Sequence, residues 1–126
     1  MVEAVLFVDD DLDLREAMQD VLGKLGVQRV VTAGSLQDVE ARRDDALRCE
    51  LALVDINLGR GEPTGVNVYE WLEDQGFSGR VVFLTGHAAQ DPRVQHAATL
   101  SGSTVASKPL SVAELRALIG AASPPP

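Results

Sequence analysis

Three stretches of this chain are apolar without alternation: Val5-Leu6-Phe7-Val8, Leu51-Ala52-Leu53-Val54 and Val81-Val82-Phe83-Leu84. A strand that shows one face to water alternates apolar and polar residues. An unbroken apolar run of this length reads instead as a strand covered on both faces. Two further short runs complete a series of five: Ala4 to Val8, Arg29 to Ala33, Leu51 to Val54, Val81 to Thr85 and Ser103 to Ser107.

Segments with helical spacing separate the runs. Leu14, Met18, Val21, Leu22 and Leu25 follow a three-to-four repeat that Gly26 stops. Ser35 N-caps a second helix with a thin apolar face of Leu36, Val39 and Leu47. Val66 to Leu72 carries Val68, Tyr69, Trp71 and Leu72 ahead of Gly76, and Pro92 to Leu100 is a weakly amphipathic, Ala-rich segment. Ser111 and Glu114 have capping-box spacing for a last helix with Val112, Leu115, Leu118 and Ile119 inward. Strand and helix alternating in this way predict an α/β fold: a five-stranded parallel sheet, doubly wound, with right-handed crossovers and helices on both faces.

The length of 126 residues allows one domain, expected over residues 1–122. Ser123 and the three prolines after it cannot continue a helix and read as a frayed end or the start of a linker. A hydrophobic share of 45% supplies a core. The formal charge of −8 repels phosphate backbones and argues against direct nucleic-acid binding. No apolar run approaches the roughly 20 residues of a membrane span. The start of the chain is too short and acidic for a signal peptide. A single Cys49 forms no internal disulfide and fits a reducing, cytoplasmic compartment, and two His with one Cys are too few for a zinc site.

In an open parallel sheet, ligands bind beyond the carboxyl ends of the strands. Asp9, Asp10 and Asp11 follow the first run, Asp55 ends the third, Thr85-Gly86 the fourth, and Ser107-Lys108-Pro109 the fifth. The second ends in Ala33-Gly34, which offers nothing chemical. Carboxylates gathered at one rim repel, so either their pKa values rise or a cation joins them. Oxygen donors without His or Cys favour a hard ion, and few protein ligands favour Mg²⁺ over a calcium cage. Lys108, one of two lysines, brings a point charge suited to a carboxylate or a phosphoryl oxygen. The set suits phosphoryl transfer to Asp55 as nucleophile, with the metal and Lys108 neutralising oxygens and Thr85 donating a hydrogen bond.

Four blocks, Phe7-Val8-Asp9-Asp10-Asp11, Leu53-Val54-Asp55, Phe83-Leu84-Thr85-Gly86 and Lys108-Pro109, make the chain resemble the receiver domain of bacterial response regulators. The resemblance implies a flavodoxin-like sheet of strand order 2-1-3-4-5. It further implies that Asp55 accepts phosphate from a phosphohistidine of a sensor histidine kinase or histidine phosphotransfer protein. Asp10 would then bind Mg²⁺ directly, Asp9 through water and Asn57 through its backbone carbonyl. Thr85 and Lys108 would contact the phosphoryl group. Such a domain assists its own phosphorylation and dephosphorylation and is not otherwise an enzyme. The last two helices and the fifth strand would be read by a downstream protein.

Three features depart from the family's pattern. The loop Ile56-Asn57-Leu58-Gly59-Arg60-Gly61-Glu62-Pro63-Thr64-Gly65 is longer by about two residues, and its glycines imply mobility. Val105 stands where a Tyr or Phe often moves with the Thr. His87, at the mouth of the site, would either slow hydrolysis by its bulk or position a water, and both readings stand. Among the other polar and aromatic residues, Asp11 reads as a helix start, Tyr69 and Trp71 as packing, and Cys49 as a small buried group. His96 carries no signal beyond an exposed helix residue. Two rival functions set against the switch are a phosphorylation-independent binding module and a Mg²⁺-dependent phosphatase. The phosphatase would need a cap for which this length leaves no room.

Overall fold

The computed structural model describes residues 2–56, 58, 64–86, 103–108 and 110–122. Within them the chain forms β1 (Ala4–Val8), α1 (Leu12–Lys24), β2 (Arg29–Ala33), α2 (Leu36–Ala41), α3 (Arg43–Leu47), β3 (Leu51–Asp55), α4 (Gly65–Asp74), β4 (Arg80–Thr85), β5 (Ser103–Ser107) and α5 (Val112–Ala122). The five strands make one parallel sheet of order β2-β1-β3-β4-β5, as expected. The segment Pro92 to Leu100, expected to be helical, lies outside the described residues, as does the tail 123–126.

The unbroken apolar runs are the sheet's interior. Every residue of β1 and β3 is buried, Asp55 included. Side chains alternate across the pleat, so each run feeds two cores. Leu6, Val8, Ala52, Val54, Val81 and Phe83 point to the layer of α2, α3 and α4. Val5, Phe7, Leu51, Leu53, Val82 and Leu84 meet Met18 and Leu22 of α1 and Leu115 and Ile119 of α5. Fully burying each such side chain is worth about 1.5–3 kcal/mol, and that is the force holding helices on both faces. Tyr69 packs on Phe83 with ring centroids 5.7 Å apart and Trp71 is half-buried against the same layer, so both are packing residues as read.

Helix boundaries follow their caps. The Asp11 carboxylate accepts the Leu14 N–H at 3.2 Å and opens α1. Beyond the end of α1, Gly26 takes φ 101°, a left-handed conformation that costs glycine little. The box before α5 forms in both directions, Glu114 N–H to Ser111 Oγ at 3.1 Å and Ser111 N–H to Glu114 Oε1 at 3.2 Å.

The second helical segment departs from expectation. It is not one helix but two short ones, broken at Arg42 with φ −108° and ψ 27°. Between the buried Val39 and Ala46, the sequence Glu40-Ala41-Arg42-Arg43-Asp44-Asp45 offers no apolar stripe, so nothing holds the middle turn to the sheet.

Candidate functional site

The parallel register brings the carboxyl ends of the strands to one rim. Val8 pairs with both Ala33 and Val54, Asp55 with Leu84, and Thr85 with Ser107. The residues that follow β1 and β5 therefore meet the ends of β3 and β4. Among the described residues the only buried polar or charged ones are Asp9, Asp55 and Thr85, all at this rim. Burying a carboxylate costs several kcal/mol unless it is paired, so a compensating charge must be close.

Lys108 supplies it. Its ammonium donates to Asp9 Oδ2 at 2.8 Å and to Asp55 Oδ2 at 3.2 Å, bridging the two carboxylates. The Lys108 backbone N–H donates to the Thr85 carbonyl at 2.8 Å, which fixes the root of the side chain on β4. Burial pulls the ammonium's pKa down. The hydrogen bond to Asp9 and the charges of Asp55 and Asp9 outweigh that, and the net displacement is upward. Lys108 therefore stays charged throughout the neutral range.

One ammonium does not balance the site. Carboxylate oxygens of Asp9, Asp10 and Asp55 lie within 4.8 Å of one another. At that separation two like charges repel by about 3 kcal/mol at an effective dielectric near 20. Three carboxylates against one ammonium leave an excess of two negative charges. An oxygen-only donor set with surplus negative charge, and with no His or Cys ligand among the described residues, fits a hard divalent cation such as Mg²⁺.

The members of the cluster differ in how firmly they are held. The second Asp9 oxygen, Oδ1, accepts the Asp11 N–H at 3.0 Å, so both oxygens of that buried carboxylate are bonded. Asp10 is exposed, and among the described residues no hydrogen bond or ion pair holds its carboxylate. The backbone of Asp55 is fixed from two sides. The next residue, Ile56, donates its N–H to Leu84 O at 3.0 Å and accepts the Gly65 N–H at 2.9 Å. Gly65 is the first residue of α4 rather than part of a free loop, and a Cβ there would collide with the Asp55 carbonyl. The connection between β3 and α4 therefore ends on a glycine pressed against the backbone of Asp55.

Several sequence-derived expectations can be placed. Asp9, Asp10, Asp55, Thr85 and Lys108 share the rim. Asp11 is a helix cap that lends its N–H to Asp9, not a member of the acid cluster. Val105 is half-buried, pairs with Phe83 in register and packs into the layer of α4. Asn57 and His87 lie outside the described residues, as do loop residues 59–63.

The end of β2 brings no reactive group of its own, but a cation from α1 lies over it. Arg15, which the sequence reading passed over, donates from Nη1 to the Asp9 carbonyl at 2.7 Å, and its guanidinium lies over Gly34. The available signal was a basic residue in the first turn of a helix that opens with acids, opposite a glycine at a strand end.

The family model of the response regulator receiver domain matches residues 5–120. No curated protein matches the chain. Among solved structures, the Vibrio cholerae chemotaxis protein CheY4 superposes with a TM-score of 0.81 at 20% identity, covering 98% of this chain and 100% of that one. A CheY-like receiver domain protein from Methanospirillum hungatei gives 0.80 at 21% identity, covering 96% and 93%. The receiver domain of NtrX from Brucella abortus gives 0.76 at 23% identity, covering 94% and 96%. At these identities the likeness is one of fold.

Proposed function

This chain belongs to the response regulator receiver domain family, and from that premise we propose that it works as a phosphoryl-accepting switch with Asp55 as the acceptor. An Asp55 carboxylate oxygen attacks the phosphorus of a phosphohistidine on a histidine kinase or histidine phosphotransfer protein. The new O–P bond forms as the N–P bond breaks, and the imidazole leaves with the electron pair. Lys108, already within hydrogen-bond reach of Asp55, moves its charge onto a phosphoryl oxygen. Thr85 donates its hydroxyl to another.

Asp9, Asp10 and Asp55 would hold Mg²⁺, with Asn57 contributing its backbone carbonyl as the family resemblance implies. When bound, the ion neutralises charge on the transferring group. Leu12 and Val112, 57% and 50% exposed, stand at the first turns of α1 and α5 and offer the donor apolar contact.

The observation that carries this reading is the Lys108 bridge between Asp55 and Asp9, with Asp10 beside it. One ammonium shared by two of three acids leaves two surplus negative charges beside Asp55, which a divalent cation would offset. Phosphorylation then draws Thr85 and Lys108 inward and shifts the population toward an active surface made of β5 and the helices flanking it, which a downstream protein reads. Val105 favours a second reading, a binding module that ignores phosphate, because it has no ring to couple to Thr85.

One experiment separates them. Acetyl phosphate with Mg²⁺ should add one phosphoryl group to the intact mass of the wild type and none to Asp55→Ala. Beryllofluoride with Mg²⁺ should shift the NMR spectrum of the wild type alone. An Asp55→Ala protein indistinguishable from wild type in both assays would sink the switch.

A further inference from the structure

Among the described residues, one member of the acid cluster has no side-chain anchor. The Asp9 carboxylate is held by Lys108 and the Asp11 N–H, and Asp55 is held by Lys108 and the bonded backbone around it. Asp10 is exposed, and its placement depends on the peptide that joins it to Asp9. That peptide's carbonyl oxygen belongs to Asp9 and accepts from Arg15 Nη1 at 2.7 Å, while the Asp9 N–H donates to Ala33 O at 3.0 Å. The loop after β1 is thus tied on one side to the end of β2 and on the other to the first turns of α1.

The Arg15 guanidinium that bonds the carbonyl lies in the space residue 34 leaves by having no side chain. A Cβ on Gly34 would lie 2.8 Å from Arg15 Nη1 and 3.3 Å from Cζ. The φ of Gly34 is not in the left-handed region, so space and not backbone freedom is what the glycine provides.

We propose that Arg15, seated in the space left by Gly34, is a positioning residue for the cation site: it locks the Asp9–Asp10 peptide and so aims the Asp10 carboxylate. This rests on the proposed Mg²⁺ reading of the cluster. A cationic strut in a cation site has a diagnostic consequence. As a bare charge, Arg15 repels a divalent ion, and removing it would tighten binding. As a strut, it organises a ligand, and removing it loosens binding. The two effects have opposite signs.

The test is calorimetric titration of the full chain with MgCl₂, paired with thermal unfolding in EDTA. Arg15→Ala is expected to weaken Mg²⁺ binding about tenfold, the low end of what lost outer-sphere partners cost. Gly34→Ala, which changes no charge, is expected to do the same by displacing the guanidinium. The double variant should bind no worse than Arg15→Ala alone, because the methyl then has nothing to displace. Any variant that fails to fold shows itself in the unfolding curve, and the other single variant then decides. Binding that is unchanged or tighter in the folded variants, with normal binding by the wild type, overturns the role of Arg15 alone. A wild type that binds no Mg²⁺ overturns the cation site itself and this proposal with it.

Discussion

At the scale of single residues, the site shows how burial and pairing divide chemical roles among similar side chains. Three aspartates follow β1, and each does something different: Asp9 is buried and doubly bonded, Asp10 is exposed, and Asp11 caps a helix. The sequence set Asp11 apart as a helix start, but the difference between Asp9 and Asp10 lies in what Lys108 and Arg15 reach. Cys49 gives the residue-scale prediction. Burial, less the effect of Arg29 and with Asp45 and Glu50 adding, pushes its thiol up from 9.0 to about 11. Below pH 9 both folded and unfolded chains keep the proton. Between about pH 9 and 11 the unfolded chain gives it up first, so stability falls as pH rises. The loss should reach at most about 2–3 kcal/mol for a displacement of two pKa units. Urea unfolding from pH 8 to 11 should show a steeper decline for wild type than for Cys49→Ala, and parallel curves would refute the assignment.

At the scale of elements, the connection between β3 and α4 closes against the backbone of Asp55. Its far end is fixed by the Gly65 N–H on the Ile56 carbonyl. The obstacle to a side chain there is backbone, the Asp55 carbonyl group, which cannot swing aside as a side chain can. Gly65→Ala should therefore cost about 2–3 kcal/mol, the usual scale of forced overpacking. It should also lower phosphoryl acceptance by tilting Asp55, which intact-mass analysis after acetyl phosphate would reveal. A substitution tolerated in both assays would mean that α4 simply slides away. The split of the second helical segment at Arg42 teaches a related lesson. Capping by Ser35 was visible in sequence, but the break came from a missing apolar stripe that a thin periodicity left ambiguous.

At the scale of the whole molecule, a cation held by the acid cluster would couple binding to folding, since Asp9 and Asp10 follow β1 and Asp55 ends β3. The unfolded chain cannot hold these carboxylates together. An ion that binds only the folded state stabilises it by mass action, about 2.7 kcal/mol at a hundredfold excess over Kd. Mg²⁺ should therefore raise the unfolding temperature of the wild type, and Asp10→Ala should lose most of that gain while unfolding normally in EDTA. Equal gains in both would place the ion elsewhere. Among the described residues no helix is long and apolar enough to cross a membrane.

The five runs, their all-apolar interiors and the acids at their carboxyl ends were legible in sequence, because burial on two faces imposes a composition that local reading detects. Asp9, Asp10, Asp55, Thr85 and Lys108 could be singled out because each stands at the end of a run. Strand periodicity says nothing about which carboxylate an ammonium 99 or 53 residues away will reach, and the fold alone put Lys108 between Asp9 and Asp55. It also put a guanidinium over Gly34 and a glycine against the Asp55 carbonyl, contacts made by what a side chain's absence allows. Such contacts leave no period or charge pattern along the chain, only an empty space that exists once the elements have packed.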